Sequence, residues 1–210
     1  MAHLPLLLDL EGIRCLVVGA GRIAERKIAS LLRAGARVKV VAPRATERIA
    51  GLARRRALRW RRGRFRPSDL RGARLVVAVT SDRAINREIA RRAARSGAFC
   101  NVADDPGRCT LMMPSVVSRG PLQISVSTRG ESPAIARAVR YDLARRYGSE
   151  YGVYVGMIGA LRRRLLATVA NGAERRRRYR RLLRAPLLTL LRDGRRAEAR
   201  SAARIAAGFR

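Results

Sequence analysis

A short apolar segment that runs directly into a glycine pair constrains the fold of this 210-residue chain more than any other feature. Residues 14–18 are strand-like, Gly19-Ala-Gly21 follows, and a helical pattern begins at Arg22. With Ala24, this spacing is the G-x-G-x-x-A fingerprint of a dinucleotide-binding turn. Gly19 permits a tight turn, Gly21 lets a pyrophosphate approach the backbone, and Ala24 allows close helix packing. The alternative is a glycine-rich turn that binds nothing.

Strand and helix patterns alternate through about the first 105 residues, which favours a parallel α/β sheet. We therefore predict a Rossmann-type α/β domain, because the fingerprint lies between the first strand and the first helix. Its predicted strands are 14–18, 38–41, 58–60, 75–79 and 99–102, and its predicted helices are 22–34, 46–55 and 82–95.

The pattern changes after Asp105-Pro-Gly107. Two short strands flank the turn Arg119-Gly-Pro121, and the second strand alternates apolar and polar residues. Ser132-Pro133 then predicts the N-cap and first residue of a helix. Beyond Tyr151 the chain reads as helices. We predict a Rossmann domain at 1–113, a small α+β dimerisation and substrate region at 114–149, and a helical C-terminal part at 150–210.

Three segments carry polar groups that suit a ligand, and each also has an ordinary interpretation. The acid expected at the ribose, about 20 residues after the first glycine, is missing, so Arg44 either meets a 2′-phosphate or is a solvated arginine. Asp104 and Asp105 follow the fifth strand, where a carboxylate either takes a proton beside a nicotinamide or caps a turn. The hydroxyls of residues 127–133 either hold an anion or cap a helix.

Composition limits the other function classes. The net charge is +32, yet 45 of the 47 basic residues are arginine and only Lys27 and Lys39 are lysine, which suggests a compositional bias. The charge alone therefore does not predict specific nucleic-acid binding. No apolar stretch is long enough for a membrane span, and the first residues do not resemble a signal peptide. Three cysteines without metal spacing suit a reducing cytoplasm, and we expect no metal site and no role for His3.

Several motifs resemble those of the precorrin-2 dehydrogenase family, the dehydrogenase and ferrochelatase part of siroheme synthase, and they occur in the same order as in that family. They cover about 140 residues, and the N-V-x-D and S-T-x-G-x-S-P pieces are more specific than the glycine fingerprint. The matching segments are 3–8, 17–27, 41–43, 78–82 with Asn86, 99–106, 113–115, 119–122 and 125–136.

The resemblance implies an NAD-dependent oxidation of precorrin-2 to sirohydrochlorin, with ferrous iron insertion as a further activity in many members. It implies Asp104 as the catalytic group and a homodimer formed after residue 113. It also implies two sets of binding residues: Gly19, Gly21, Arg22, Ile23, Ala24, Pro43, Arg44 and Thr80 for the cofactor, and Asn101, Ser127, Thr128 and Ser132 for the substrate. The alternative is a non-catalytic NAD-sensing module whose arginine-rich tail binds a polyanion, since a sensor needs only the glycine loop.

Overall fold

The computed structural model describes residues 3–103 and 105–209. Asp104, the predicted catalytic residue, therefore lies outside the described residues. The chain divides into two compact units between Met113 and Pro114. The further division at residue 149 stays a prediction.

The first unit is a five-stranded parallel sheet with the strand order β3-β2-β1-β4-β5. Helices α1 and α2 pack on one face and α3 on the other, each through a buried apolar cluster. This arrangement confirms the predicted Rossmann-type α/β class. Its elements are β1 Arg14–Val18, α1 Arg22–Arg33, β2 Arg37–Ala42, α2 Glu47–Arg54, β3 Arg59–Arg62, β4 Leu75–Ala78, α3 Arg83–Arg95 and β5 Phe99–Val102, with 3-10 turns at Pro67–Leu70 and Pro106–Arg108.

The third strand is the element whose predicted bounds differ most from the structure. It was expected at 58–60, but pairing with β2 runs from Lys39 opposite Arg59 to Ala42 opposite Arg62. Leu58 is buried before the strand begins. The bounds of β3 cannot be predicted from an apolar pattern, because the strand is mostly charged. They are set by its pairing with β2.

The second unit begins with an antiparallel hairpin and continues as helices. The hairpin turn packs closely on α5, since a Cβ at Gly152 would lie 2.8 Å from the Arg119 carbonyl oxygen. Arg119 also donates to the carbonyl oxygens of Ala144 and Tyr147, both at 2.9 Å, and so caps the end of α4. The elements are β6 Ser115–Arg119, β7 Leu122–Val126, α4 Pro133–Arg146, α5 Glu150–Thr168, α6 Gly172–Arg184, α7 Leu187–Arg192 and α8 Arg196–Ala206.

The C-terminal helices share a small apolar core around Ile158, Leu182 and Leu187. Their arginines lie mostly on exposed faces, as at Arg176 and Arg180. Among the described residues, no helix is both long and apolar enough to cross a membrane.

The buried carboxylate of Asp69 joins β2, β3 and the turn after β3 through hydrogen bonds. Asp69 is 5 % exposed and accepts hydrogen bonds from Lys39 at 2.8 Å, from Arg61 and from the Arg66 N–H at 2.9 Å. Burial alone would raise the pKa of Asp69, but the hydrogen bonds from Arg61, Lys39 and Arg66 outweigh it and lower the pKa to about 2. The ionised form of Asp69 therefore stabilises the folded state.

We predict a specific acid sensitivity from this carboxylate. Because its folded pKa lies below the ordinary value of 3.8, its contribution is complete above about pH 4 and is lost as the pH falls toward 2. The shift corresponds to about 2 kcal/mol of unfolding free energy. Urea unfolding at several pH values should show this loss in the wild type and its absence in Asp69→Asn. The exposed Glu47→Gln control should keep it; an unchanged pH profile in Asp69→Asn would contradict the assignment.

Candidate functional site

The glycine turn after β1 has the geometry that the fingerprint predicts. Gly19 adopts φ +104, and a Cβ there would lie 2.5 Å from the Val79 carbonyl oxygen at the end of β4. Only glycine fits, because any side chain would be strained and would overlap the backbone of the neighbouring strand. Ala24 is fully buried against the sheet, as close helix packing requires. The turn therefore lies at the carboxyl edge, where β1 and β4 separate and the strand order reverses.

The start of α1 leaves room for phosphate groups. A Cβ at Gly21 would have nothing within 4 Å, so the space beside this residue is open. Gly21 is the N-cap of α1 and offers no side-chain cap. The N–H groups of Arg22 and Ile23 thus meet no capping side chain, and the helix dipole favours an anion there. The residues of this turn fit the pyrophosphate of a dinucleotide.

The end of β2 completes this side of the candidate cofactor site. The Gly19 N–H donates to the Val41 carbonyl oxygen at 2.9 Å, which holds the turn against β2. Pro43 and Arg44 follow the strand and are both exposed. The exposed Arg44 side chain is accessible to a ribose or to its 2′-phosphate.

Thr80 lies beside the glycine turn but is engaged in its own network. Its backbone N is 3.1 Å from the position of a Cβ at Gly19. The Thr80 hydroxyl lies 2.7 Å from Asn86 Oδ1 and accepts from the Asp82 N–H at 3.1 Å. Asn86 is buried and donates to the Thr80 carbonyl oxygen at 3.0 Å. These bonds shape the end of β4 next to the turn, and cofactor binding by Thr80 stays a prediction.

A hydrogen bond between residues far apart in the sequence links α1 to β5. Lys27 Nζ donates to Asn101 Oδ1 at 2.5 Å, and Asn101 Nδ2 donates to the Leu111 carbonyl oxygen at 3.0 Å. Asn101 is 7 % exposed, so its amide serves the interior of the fold. Substrate binding by Asn101 stays a prediction. The sequence analysis did not select Lys27 as a site residue, although the scarcity of lysine in this chain was a usable signal.

The residues on either side of Asp104 are held in place by backbone contacts. The Ala103 N–H donates to the Ala78 carbonyl oxygen at 2.9 Å. Cys109 Sγ accepts from the Val102 N–H at 3.2 Å. Asp105 lies 3.1 Å from Arg108 in a partly exposed ion pair. The local geometry therefore assigns Asp105 to the turn.

The hydroxyl segment between β7 and α4 belongs to the second unit and forms a helix cap. Ser132 accepts from the Ile135 N–H at 3.3 Å, which confirms the predicted N-cap. The Thr128 hydroxyl bonds both the N–H and the carbonyl oxygen of Ser132 at 3.1 Å, and Ser127 accepts from the Arg129 N–H. Arg129 adopts φ +55, a conformation that favours glycine. Substrate contacts by these three hydroxyls stay predictions.

The two buried cysteines take no part in this chemistry. Burial raises the pKa of the Cys15 thiol to about 11 and that of the Cys100 thiol to about 12. Both thiols therefore stay protonated and act as small apolar side chains.

We predict that Gly21→Val blocks the dinucleotide without disturbing the fold. The new side chain enters open space at an ordinary backbone conformation, but it occupies the place of the pyrophosphate. Titration calorimetry with NAD and NADP should show an affinity lowered about tenfold or more, with a nearly unchanged Tm. Gly19→Ala is the contrasting variant and should cost about 1–3 kcal/mol of stability. Unchanged affinity in Gly21→Val would place the dinucleotide elsewhere.

Comparison with known proteins agrees with this geometry. A family model described as "Putative NAD(P)-binding" matches residues 6–115, and one described as "Sirohaem biosynthesis protein central" matches residues 119–146. A siroheme synthase of Aeromonas hydrophila is 39 % identical over 188 residues, which are 90 % of this chain and 40 % of that protein. A siroheme synthase of Methylococcus capsulatus is 37 % identical over 199 residues, 95 % of this chain and 42 % of that protein.

The chain thus spans about two fifths of the length of these curated relatives. Among solved structures, one titled "SirC, precorrin-2 dehydrogenase" superimposes with a TM-score of 0.76 and 25 % identity, covering 99 % of this chain and 100 % of that one. The matched region 6–115 contains the complete glycine turn and the ends of β2, β4 and β5. The chain belongs to this family of NAD(P)-binding domains.

Proposed function

We propose that this protein oxidises precorrin-2 to sirohydrochlorin with NAD, in the biosynthesis of siroheme. The match to a precorrin-2 dehydrogenase over nearly the whole chain carries this proposal. The open glycine turn supports it, because that turn suits a dinucleotide pyrophosphate. A sensor that only binds NAD would need the glycine turn alone, whereas the similarity to siroheme biosynthesis proteins extends into the second unit, over residues 119–146.

The reaction divides between the cofactor and the chain. Bound NAD supplies a hydride acceptor. The macrocycle also releases a proton, so one base within hydrogen-bond reach of that proton is required. Asp104 is the proposed base, because in the sequence it comes two residues after β5, a strand that ends at the same edge of the sheet as the glycine turn. The basic surface attracts a substrate that carries several carboxylates.

We extend the proposal to ferrous iron as a second substrate. Insertion of iron into sirohydrochlorin requires that two pyrrole protons leave as the metal enters. A carboxylate that accepts the proton in the oxidation can also accept protons in this step. The iron would be bound by the nitrogens of the macrocycle, so the step needs no resident metal site on the chain. Separate assays of sirohydrochlorin and siroheme formation test this extension independently of the oxidation.

A homodimer is the proposed assembly. Helix α4 exposes Ile135 by 59 % and Val139 by 40 %, four residues apart on one face. Val116 on β6 is likewise 40 % exposed. Apolar side chains clustered at this exposure favour a protein interface. With free cysteines and no disulfide among the described residues, we also propose the cytoplasm as the location.

We predict that Asp104→Asn strongly slows the oxidation of precorrin-2 and leaves the binding of NAD intact. The amide keeps the shape of the side chain but cannot accept the proton. Sirohydrochlorin formation should fall by ~10²–10⁴-fold, the usual contribution of a general base, while NAD affinity and Tm stay near the wild-type values. Iron insertion should fall with it. Asp105→Asn is the matched control and should keep most activity; near-normal oxidation by Asp104→Asn would remove Asp104 from this role.

We predict a preference for NAD over NADP. Steady-state kinetics with both cofactors measures the preference, and a higher kcat/KM with NADP would contradict it. Arg44→Gln separates the two interpretations of Arg44, which is exposed after β2. Loss of a 2′-phosphate contact would weaken NADP selectively, whereas a solvated arginine leaves both cofactors unaffected.

We predict a dimer in solution, with a mass near twice 23.2 kDa by light scattering. Ile135→Glu combined with Val139→Glu should give a folded monomer, because two charges would be buried at the interface. Ile205→Glu, at an apolar residue of α8 that is 71 % exposed, is the control and should remain dimeric. A monomeric wild type at micromolar concentration would refute the assembly.

A further inference from the structure

The first unit contains a cavity of about 510 Å³ at the edge of the sheet opposite the glycine turn. It is lined by the first residues of three strands, Arg14, Arg37 and Arg59. The buried apolar residue Leu16, which lies between these strands on the side of Arg14 and Lys39, also lines it. Its size lies in the range of small-molecule sites, and neither the proposed oxidation nor the cofactor uses this edge.

The strand register concentrates positive charge on one face of this edge. Arg14 pairs with Arg37, and Lys39 pairs with Arg59. Paired residues of parallel strands point to the same face, and so do residues two apart on one strand. All four side chains therefore share a face, and Arg61 joins them two residues after Arg59. The common contact of Lys39 and Arg61 with Asp69 agrees with this arrangement.

The charges in the cavity do not balance. Among the described residues that line it, Asp69 is the only acidic one, and Lys39 and Arg61 already neutralise that carboxylate. Within residues 3–103 and 105–209, five lining arginines have no side-chain hydrogen bond and no carboxylate within 4.0 Å; they are Arg14, Arg37, Arg56, Arg59 and Arg71. Their mutual repulsion raises the free energy of the folded protein, and a bound anion would offset it.

Two local backbone features shape the lining of the cavity at Arg14 and at Arg56. A Cβ at Gly72 would overlap the Arg14 guanidinium, and Gly72 adopts φ +71, so glycine makes the room for that side chain. Arg56 adopts the left-handed conformation at φ +58 three residues before β3 begins. A non-glycine residue rarely takes this conformation, and here it is one of the residues that line the cavity.

We propose that this cavity binds a small anion with at least two phosphate or carboxylate groups. Guanidinium groups bind both kinds of oxyanion through two parallel hydrogen bonds. Several guanidinium groups around one cavity suit a compact anion with two or more charged groups better than a single monovalent ion. The site lies on the other edge of the sheet from the glycine turn, so this proposal does not depend on the proposed oxidation.

Titration calorimetry of the full chain with inorganic pyrophosphate and with citrate tests the proposal at fixed ionic strength. Both wild type and Gly21→Val serve as hosts, so that binding at the glycine turn is recognised and not counted. We expect saturable binding of one anion that persists in Gly21→Val. Tighter binding of pyrophosphate would assign a phosphate ligand, and tighter binding of citrate a carboxylate ligand.

The paired variants distinguish a built site from the general charge of the chain. Arg37→Gln with Arg59→Gln should weaken binding about tenfold or more, because it removes two groups of the cavity. Arg87→Gln with Arg91→Gln removes the same charge from the exposed side of α3 and should leave the affinity unchanged. Equal weakening in both double variants, or no saturable binding of either anion to the wild type, would overturn the proposal.

Discussion

The close approach of Gly19 to the end of β4 is the contact on which the rest of this structure depends. Gly19 adopts φ +104, and the Val79 carbonyl oxygen lies 2.5 Å from the position that a Cβ would take there. The chain can therefore turn sharply from β1 into α1. The uncapped start of α1 is thereby brought to the edge where the strand order reverses. A larger residue would move the helix away from the sheet and separate the N–H groups that are proposed to bind phosphate from the ends of β2 and β4.

A second constraint acts at β5, the outermost strand of the sheet on the side of β4. Lys27 extends from α1 to Asn101 on β5, and Asn101 in turn holds the Leu111 backbone. The segment after β5 also returns to the free edge of that strand, where Thr110 and Leu111 donate their N–H groups to Cys100. These bonds fix the residues on both sides of Asp104. The helix that begins the cofactor site is thus tied to the strand that precedes the proposed base.

Much of the first unit could be predicted from the sequence because local patterns determine it. The bounds of β1 and β5 follow from short, mostly apolar runs, and Thr46 and Asp82 cap helices as their residue types predict. The glycine turn could be placed for the same reason. The extent of β3 could not, because the pairing of a charged edge strand is a property of its neighbour.

Features that join distant residues were beyond sequence reasoning. Lys27 and Asn101 are 74 residues apart, and only the packed helix brings them together. The cationic cavity depends on the register between β1, β2 and β3, since a shift of one residue would send its arginines to the other face. The hydroxyls of Ser127, Thr128 and Ser132 showed both a ligand pattern and a cap pattern, and the structure accounts for the cap.

The central claim is that the glycine turn and Asp104 serve one oxidation of a tetrapyrrole. The most direct test is an anaerobic turnover of precorrin-2 with NAD by the purified chain, in which NADH and sirohydrochlorin are measured together by absorbance. The account predicts that both products appear in equal amounts, at a rate proportional to enzyme concentration. Binding of NAD without formation of either product would contradict it and would favour a cofactor-sensing role.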